Sequence, residues 1–258
     1  MKNPLIVGYR GEIGSYLLAG LIKYMPSATN ILCFDQAEDE YERKDRIDRA
    51  DVIYLCIPLH ETVYFFKDYH TLLQGKTVVE QSSLKGIVYQ NSNFKSYTKG
   101  INVLSMHILF RPSATPNKED QSICIISEGQ EQLDRWNQTG IISFIRDGLK
   151  VEFFMIPTWK KHDQEMALQQ ALVHRILLTL SETISEGDIG WVPRYKTNTY
   201  IGKQVNRLAL RIKQGDYDLY SLIQANPQLG RKLREFNTRL DKFDLAKQMK
   251  KVCDEKCK

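Results

Sequence analysis

The chain has 258 residues, of which 42% are hydrophobic and 26% are charged. These values are typical of a globular protein and argue against a disordered or low-complexity chain. The formal net charge is +5, but basic and acidic residues are interleaved, so the composition favours small anionic ligands over nucleic acid.

No apolar run approaches the roughly 20 residues that a membrane-spanning helix needs. The first residues lead directly into a strand-like segment, without the pattern of a signal peptide. We therefore expect no membrane partner and a cytoplasmic location. The five cysteines show no spacing typical of a zinc site, so we predict neither a structural disulfide nor a bound metal.

The first part of the chain alternates short apolar runs with helical periodicity, which is typical of a parallel sheet covered by helices. The predicted strands cover residues 4–7, 30–34, 52–57, 77–80, 102–106, 122–126 and 151–155. The predicted helices of this part cover residues 13–24, 60–73 and 130–146.

From Thr158 onward, β-branched runs give way to long stretches with a period of about 3.6 residues. One helix is predicted from Thr158 to about Glu186, and its apolar residues occur on all sides, which indicates burial in a helical bundle or a dimer interface. The change of pattern predicts two domains, residues 1–157 and an all-helical domain of residues 158–258. We assign formation of a homodimer to the second domain.

A glycine-rich loop follows the first predicted strand and opens a helix. Residues 8–14 read Gly-Tyr-Arg-Gly-Glu-Ile-Gly, and Asp35 ends the second strand about 20 residues later. Glycines let the backbone turn tightly and approach a pyrophosphate, which then binds free N–H groups at the start of the helix. The first domain is therefore predicted to be a Rossmann-like dinucleotide-binding domain, with tight packing of strand on helix as the alternative reason for the glycines.

Asp35 favours NAD as the cofactor, because its carboxylate can accept hydrogen bonds from both ribose hydroxyls and would repel a 2′-phosphate. Arg10 keeps NADP open, since a guanidinium in the loop could pair with a phosphate. From the loop and the second strand, we assign cofactor contacts to Gly8, Arg10, Gly11, Glu12, Ile13, Gly14 and Asp35.

Several further segments, taken in chain order, match the motifs of one family. They are the strand that ends at Pro58, the acid-x-x-Ser-x-Lys turn at residues 80–86, the segment 106–112 around His107, the pair His162-Asp163 with His174 twelve positions after His162, and Arg211 followed by Asp216, Leu219 and Tyr220. Together with the loop, they resemble the prephenate dehydrogenases over nearly the whole chain.

The resemblance implies an NAD-dependent oxidative decarboxylation of prephenate to 4-hydroxyphenylpyruvate, a step of tyrosine biosynthesis. It places Pro58 beside the cofactor and makes His107 the base that accepts the proton of the ring hydroxyl. We expect His107 just past the end of its strand, at the carboxyl edge where open α/β sheets bind ligands. Ser83 would bond to the substrate hydroxyl, the histidine or the nicotinamide amide, and capping of the next helix is its structural alternative.

For the two substrate carboxylates, the resemblance implies His174 and an arginine from a later helix, and it thereby assigns substrate binding to the second domain. A guanidinium suits this role because it can bind a carboxylate with two parallel hydrogen bonds. Arg211 matches the motif, and Arg207 is its rival, since it lies one helical turn earlier on the same face. Gln170, one turn before His174, could line the same pocket.

The pair His162-Asp163 is expected to be structural and to form a hinge between the two domains. Two alternatives to the main activity stay open. A close relative could act on arogenate or amino-deoxyprephenate, because Asp216 or Asp218 could bind the amine of such a substrate. In another class, the chain could be a dinucleotide-binding regulatory protein that kept the fold and lost turnover.

Overall fold

The computed structural model describes residues 3–26, 30–115, 117–186, 199–213 and 217–242. The chain divides into two compact units, Met1–Asp163 and Gln164–Lys258. The sequence pattern predicts the division between residues 157 and 158, at the start of the long helix. The functional roles assigned to the two parts stay predictions.

Seven strands in the first unit form a single sheet in the order β2-β1-β3-β4-β5-β6-β7. Their bounds are β1 Pro4–Val7, β2 Leu32–Phe34, β3 Val52–Leu55, β4 Thr77–Glu80, β5 Asn102–Ile108, β6 Ser122–Ile126 and β7 Glu152–Ile156. Each of these strands coincides with or overlaps a predicted one. The α/β fold class with a Rossmann-like first part is confirmed.

The parallel pattern predicted for the sheet holds from β1 to β5 and fails at β6. Strand β6 runs antiparallel to β5, and β7 then runs parallel to β6. Parallel neighbours need a crossover connection of a dozen or more residues, usually a helix. Among the described residues of the segment 109–121, only the short 3-10 turn Lys118–Asp120 is helical, so the chain turns back beside β5.

Helices connect most strands of the first unit. They are α1 Glu12–Tyr24, α2 Glu40–Arg49, α3 Glu61–Tyr69, α4 Lys85–Tyr89, α5 Phe94–Tyr97, α6 Gly129–Gln138 and α7 Ile141–Ser143, the last continued by a π-helical turn, Phe144–Leu149. The predicted helix over residues 130–146 is divided, because Gly140 adopts a left-handed φ of 74° between α6 and α7.

Helix α2 is missing from the sequence-based prediction because it has almost no apolar residues. Polar contacts add to the burial of its one core residue, Ile47. The Asp39 side chain caps it by accepting from the backbone N–H of Glu42, and the ion pairs Lys44–Glu40 and Arg49–Asp45 join side chains four residues apart.

The core of the first unit lies on both faces of the sheet. All residues of β1 and β3 are buried, which explains why these strands read as continuous apolar runs. Leu17 and Leu21 of α1 pack into the same cluster as Phe144 of the π-helical turn. This packing holds the start of α1 against the end of β1, where the glycine loop lies.

The described part of the second unit is helical. The predicted long helix is present as a helical run from Trp159 to Glu186, made of α8 Trp159–Met166, a π-helical turn Ala167–Leu172 and α9 Val173–Glu186. It is followed by α10 Tyr200–Lys213, α11 Tyr217–Gln224 and α12 Leu229–Asp241. In the described ranges, no helix has both the length and the apolar character to cross a bilayer.

Candidate active site

The carboxyl ends of β1, β3, β4 and β5 meet at one edge of the sheet, because these neighbours run parallel. Strand β2 lies on one side of β1 and β3 lies on the other. The chain therefore leaves β1 and β3 in opposite directions, and the crevice between their ends is where open α/β sheets bind ligands. The glycine loop, the loop after β3 and the turn after β4 all lie at this edge.

The three positions of the loop that hold glycine differ in how strongly the structure requires one. Gly8 has a left-handed φ of 80°, and a Cβ there would lie 2.3 Å from the carbonyl oxygen of Cys56. A Cβ on Gly14 would lie 2.1 Å from the carbonyl oxygen of Gly8. Gly11 is exposed, and its nearest neighbour to a Cβ would be 3.3 Å away. Packing therefore requires Gly8 and Gly14 far more strongly than Gly11.

Gly11 is the N-cap of α1, and no side chain caps this helix. The first N–H groups of a helix have no partners inside the helix, so they are available to an anion. An exposed glycine at this point leaves room for a phosphate to approach the backbone. The observations fit the predicted site for a dinucleotide, and Glu12 and Ile13 supply the first helical N–H groups there.

The side chains of those two residues point elsewhere. The Glu12 carboxylate accepts from Arg111 Nε at 2.8 Å and from the Ser113 backbone N–H at 2.7 Å. Ile13 packs against the core cluster. Pro58 is exposed in the loop after β3, and its carbonyl accepts from the first N–H of α3 at 2.9 Å. Glu12 therefore ties the glycine loop to the segment that follows β5.

Asp35 lies directly after β2, and its carboxylate is oriented by the backbone. It accepts from the N–H groups of Arg10 at 3.2 Å and Gln36 at 2.8 Å. Glu38 lies beside it and accepts from the Asp35 N–H at 2.8 Å, while the Arg10 guanidinium is 3.6 Å from the other Glu38 oxygen. Glu38 is absent from the sequence-based prediction, although an acid three residues after Asp35 is a readable signal.

His107 lies inside β5 and not just past its end, contrary to the expectation from the sequence. The reason is the antiparallel pairing with β6, which continues through His107 and Cys124 to Ile108. Side chains two residues apart share one face of a strand, so His107 and Ser105 face the same side of the sheet. The residue is 5% exposed and lies near the carboxyl end of the strand.

Next to His107 in β5, a fully buried ion pair joins Glu80 and Lys85. The Glu80 carboxylate accepts from Lys85 Nζ at 2.8 Å, from the Ser82 N–H at 3.0 Å and from the Ser82 and Ser105 hydroxyls. Lys85 Nζ also donates to the Met106 carbonyl oxygen at 2.7 Å. Burial lowers the pKa of Lys85, and the adjacent Glu80 carboxylate opposes that shift. The pair fixes the backbone immediately before His107.

His107 also contacts His162, which together with Asp163 is predicted from the sequence to form a hinge. Its Nδ1 lies 3.0 Å from His162 Nε2, and His162 Nδ1 lies 2.9 Å from Asp163 Oδ1. All three side chains are buried within the first unit. Burial, the neighbouring His162 and the charge of Lys85 hold the pKa of His107 well below its usual value, so the ring is neutral. No local sequence signal indicates this contact.

Ser83 follows β4 at the same edge. Its hydroxyl is buried and has no hydrogen-bond partner among the residues that the structure describes. The capping alternative is wrong, because the N-cap of α4 is Leu84 and the N–H groups of Lys85 and Gly86 instead donate to Asp163 at 2.9 and 2.7 Å. A buried unpartnered hydroxyl beside a ligand crevice is available to a bound molecule.

The remaining predicted residues lie in the second unit. His174 is partly buried, packs edge-on against Tyr220 with ring centroids 5.1 Å apart, and has an unpartnered Nδ1 among the described atoms. Burial lowers its pKa. Gln170 is partly buried in the π-helical turn, while Arg207 and Arg211 are exposed on α10. Helices α9 and α10 pack against each other, which brings the helices of His174 and of the two arginines together.

Asp216 lies outside the described residues, and the side chain of Asp218 is likewise not described. The contribution of these two acids to an amine site therefore stays a prediction. Across the described ranges, no group of three or more His, Cys, Asp and Glu side chains is arranged to hold a metal ion.

Comparison with known proteins gives no match to any protein-family model. The chain is 23% identical over 194 residues to a probable arogenate/prephenate dehydrogenase of Methanocaldococcus jannaschii, an alignment that covers 74% of this chain and 40% of that protein. The chain thus spans about two fifths of the length of that curated relative.

Solved structures share the fold. A prephenate dehydrogenase from A. aeolicus, in complex with hydroxyphenyl propionate and NAD+, has a TM-score of 0.68 at 17% identity, and the match covers 100% of this chain and 98% of that one. An imine reductase from Myxococcus stipitatus, in complex with NADP+, has a TM-score of 0.52 at 14% identity and covers 83% of this chain and 80% of its own. The resemblance to prephenate dehydrogenases that the motifs predict is confirmed in sequence similarity and in fold.

Proposed function

We propose that the protein is a nicotinamide-dependent oxidoreductase that oxidises and decarboxylates prephenate to 4-hydroxyphenylpyruvate. The observation that carries the proposal is the sheet edge, where a neutral buried His107 near the carboxyl end of β5 and an unpartnered buried Ser83 hydroxyl after β4 lie at the same edge as the glycine loop. The relative from M. jannaschii and the fold shared with the A. aeolicus enzyme support it.

NAD would bind with its pyrophosphate on the uncapped start of α1, against Gly11. Asp35 would accept from the ribose hydroxyls, since its carboxylate is already held at the end of β2 by backbone N–H groups. Glu38 adds a second acid there and ion-pairs with Arg10. Both acids would repel a 2′-phosphate, which favours NAD over NADP. When bound, the cofactor supplies the acceptor for the hydride.

The residues of the chain would control the proton and the position of the ring. His107 would accept the proton of the ring hydroxyl, since its ring is neutral and the N–H of its other nitrogen can be held by His162. Ser83 would orient the hydroxyl or the nicotinamide amide through its unpartnered oxygen. Aromatisation of the product drives the loss of carbon dioxide, so the protein has mainly to position the reactants.

The carboxylates of the substrate are assigned to residues of the second unit on the basis of the resemblance. Arg211 and His174 match the family positions, and Arg207 and Gln170 are the neighbouring candidates. The exposed positions of both arginines and the unpartnered Nδ1 of His174 leave these groups available to an anion.

A homodimer is part of the proposal. Supporting observations are the exposed apolar side chains on the helices of the second unit, among them Val173 and Leu180 on α9 and Ile201 on α10. Contiguous exposed apolar patches mark association surfaces, and Val173 and Leu180 lie two helical turns apart on one face of α9. A single monomeric species in analytical ultracentrifugation at micromolar concentration would contradict the dimer.

The test of the activity is direct. Purified protein mixed with NAD and prephenate should form reduced cofactor together with 4-hydroxyphenylpyruvate and carbon dioxide. Parallel reactions with NADP and with arogenate rank the cofactors and the substrates, and faster turnover of arogenate would favour the second candidate substrate. Binding of NAD without turnover of any of these substrates would favour the regulatory alternative.

The role of His107 has its own test. His107→Asn keeps the approximate size and removes the titratable base, so turnover should fall on the order of 10²–10⁴-fold with NAD affinity nearly unchanged. The exposed His70→Asn, at the opposite end of α3 from this edge of the sheet, is the control and should keep wild-type turnover. Arg211→Ala should instead mainly raise the Michaelis constant for prephenate. If His107→Asn keeps near-normal turnover but no longer binds its ligands, the general-base assignment is wrong.

A further inference from the structure

We propose that His162 and Asp163 are positioning residues for His107, which fix its tautomer and take over the charge that it gains during turnover. The inference rests on the proposed function in its catalytic part. Its basis is a row of three buried side chains, with 3.0 Å between His107 Nδ1 and His162 Nε2 and 2.9 Å between His162 Nδ1 and Asp163 Oδ1. We name this row the His-His-Asp relay.

The tautomers of the two histidines follow from Asp163 at the end of the row, because an ionised carboxylate can only accept hydrogen bonds. Both Asp163 oxygens accept backbone N–H groups, Oδ1 from Lys85 and Oδ2 from Gly86, as an ionised carboxylate does. His162 must therefore carry its proton on Nδ1 to bond to Asp163. A neutral His162 then presents a lone pair at Nε2, so His107 must carry its own proton on Nδ1.

This assignment leaves Nε2 of His107 unprotonated. No described residue makes a hydrogen bond with that nitrogen, so it is available to a substrate hydroxyl. The two rings are inclined by 63° with centroids 5.2 Å apart, an edge-on arrangement that suits an N–H of one ring directed at the lone pair of the other. The relay thus selects the one tautomer of His107 that can act as a base.

Asp163 is held in place as firmly as the histidines. Its two hydrogen bonds to the start of α4 come from a segment 78 and 77 residues away in sequence. A Cβ on Gly86 would lie 3.0 Å from Asp163 Oδ2, so the glycine gives the carboxylate its space. Asp163 therefore caps α4 and is also the last residue of the relay. Through these contacts it connects the turn that carries Ser83 to the ring of His107.

The relay also provides a destination for positive charge. As the O–H bond of the substrate breaks, a bond forms between that proton and His107 Nε2. The bond between His107 Nδ1 and its proton can then break as a new one forms at His162 Nε2. The positive charge ends on His162, next to the Asp163 carboxylate, and His107 becomes neutral again with its proton on Nε2.

The other charged groups around the row make this direction favourable. Lys85 disfavours a charge on His107, which already has a strongly lowered pKa through burial. Burial and the charge of Lys85 also lower the pKa of His162, but Asp163 and Glu80 oppose that shift, and among the described residues no carboxylate opposes it at His107. Cys124 is the strand neighbour of His107 on β6, and burial raises the pKa of its thiol to about 11, so it stays neutral.

The first test needs neither substrate nor cofactor. Nitrogen NMR of protein labelled with ¹⁵N-histidine should show His107 protonated at Nδ1 and unprotonated at Nε2. In Asp163→Asn, an amide N–H can donate to His162 Nδ1, which would reverse both tautomers and place the proton of His107 on Nε2. A wild-type His107 protonated at Nε2 would overturn the proposal even if the enzyme oxidises prephenate.

Asp39→Asn is the matched control for this change. Asp39 also caps a helix, by accepting from the Glu42 N–H at 2.9 Å, but it has no histidine partner among the described residues. If Asp163 serves only as a cap, the two variants should behave alike, with wild-type tautomers of His107. That result would also overturn the proposal.

The kinetic test separates orientation from charge transfer. Asp163→Asn should lower turnover on the order of 10²–10⁴-fold with the Michaelis constant for NAD nearly unchanged, as for loss of a histidine-orienting acid elsewhere. His162→Gln offers an amide oxygen to His107 Nδ1 but cannot take a proton. It should keep the wild-type tautomer of His107 in the NMR spectrum and still lose about 10-fold or more in turnover. Wild-type turnover in a folded His162→Gln protein would overturn the charge-transfer step.

Discussion

The glycine loop and the buried polar cluster lie at the same edge of one sheet, but they are built in opposite ways. The loop at residues 8–14 consists of backbone within one short segment, and its requirements are steric. The buried cluster of Glu80, Lys85, His107, His162 and Asp163 consists of side chains from separate segments, and its requirements are electrostatic. The difference teaches that a binding loop can be local while the chemistry beside it depends on the complete fold.

The largest expected effect comes from breaking the buried ion pair. Lys85→Met leaves Glu80 as an uncompensated buried carboxylate, which should cost about 3–5 kcal/mol of unfolding free energy. Urea unfolding followed by circular dichroism measures it. The double variant Glu80→Gln/Lys85→Met should recover part of the loss, and the surface variant Lys44→Met should match wild type. Equal stability of Lys85→Met and Lys44→Met would show that the buried pair has no special role.

The glycine loop should separate stability from binding. Gly8→Ala forces a side chain into a left-handed conformation and against the Cys56 carbonyl, so it should cost roughly 1–3 kcal/mol of stability. Gly11→Ala should leave unfolding almost unchanged and weaken NAD binding, since its Cβ would occupy the exposed approach to α1. Thermal melts with and without NAD compare the two. If Gly11→Ala binds NAD as tightly as wild type does, the pyrophosphate does not bind at this position.

The histidines of the buried cluster should make stability depend on pH. The folded protein lowers the pKa of both His107 and His162, mainly through burial, from an ordinary value of 6.5. Below that value the unfolded chain binds protons at these histidines, and the folded protein does not. The free energy of unfolding should therefore decline from about pH 7.5 toward about pH 5. His107→Asn should flatten the decline measured by urea unfolding, and the exposed His60→Asn should retain it. An equal slope in both variants would contradict the prediction.

The smallest expected effect concerns the choice of cofactor. Asp35→Ser should weaken NAD binding by roughly 10-fold and narrow its advantage over NADP, because the hydrogen bonds to ribose and the repulsion of a 2′-phosphate both decrease. Glu38→Gln should narrow the difference less and release Arg10. Isothermal titration with each cofactor measures both changes. Unchanged relative affinities in Asp35→Ser would mean that Arg10 governs the choice.

The sequence by itself determined the features whose causes are local. Alternating and continuous apolar runs predict the seven strands, and glycine spacing with Asp35 predicts the loop, because turn geometry and strand burial depend on neighbours within a few residues. Helix α2 is absent from the prediction because its residues are mostly polar, so the sequence shows no apolar period there.

Only the tertiary structure decided the direction of β6, the burial of Glu80 with Lys85 and the contact between His107 and His162. The last pair is separated by 55 residues, and Asp163 caps a helix 78 residues earlier. A sequence pattern has no period at such distances, and the same His-Asp pair on an isolated helix would be read as a polar surface. The fold removes these side chains from water, so their hydrogen bonds are made to each other and to neighbouring backbone and serine groups.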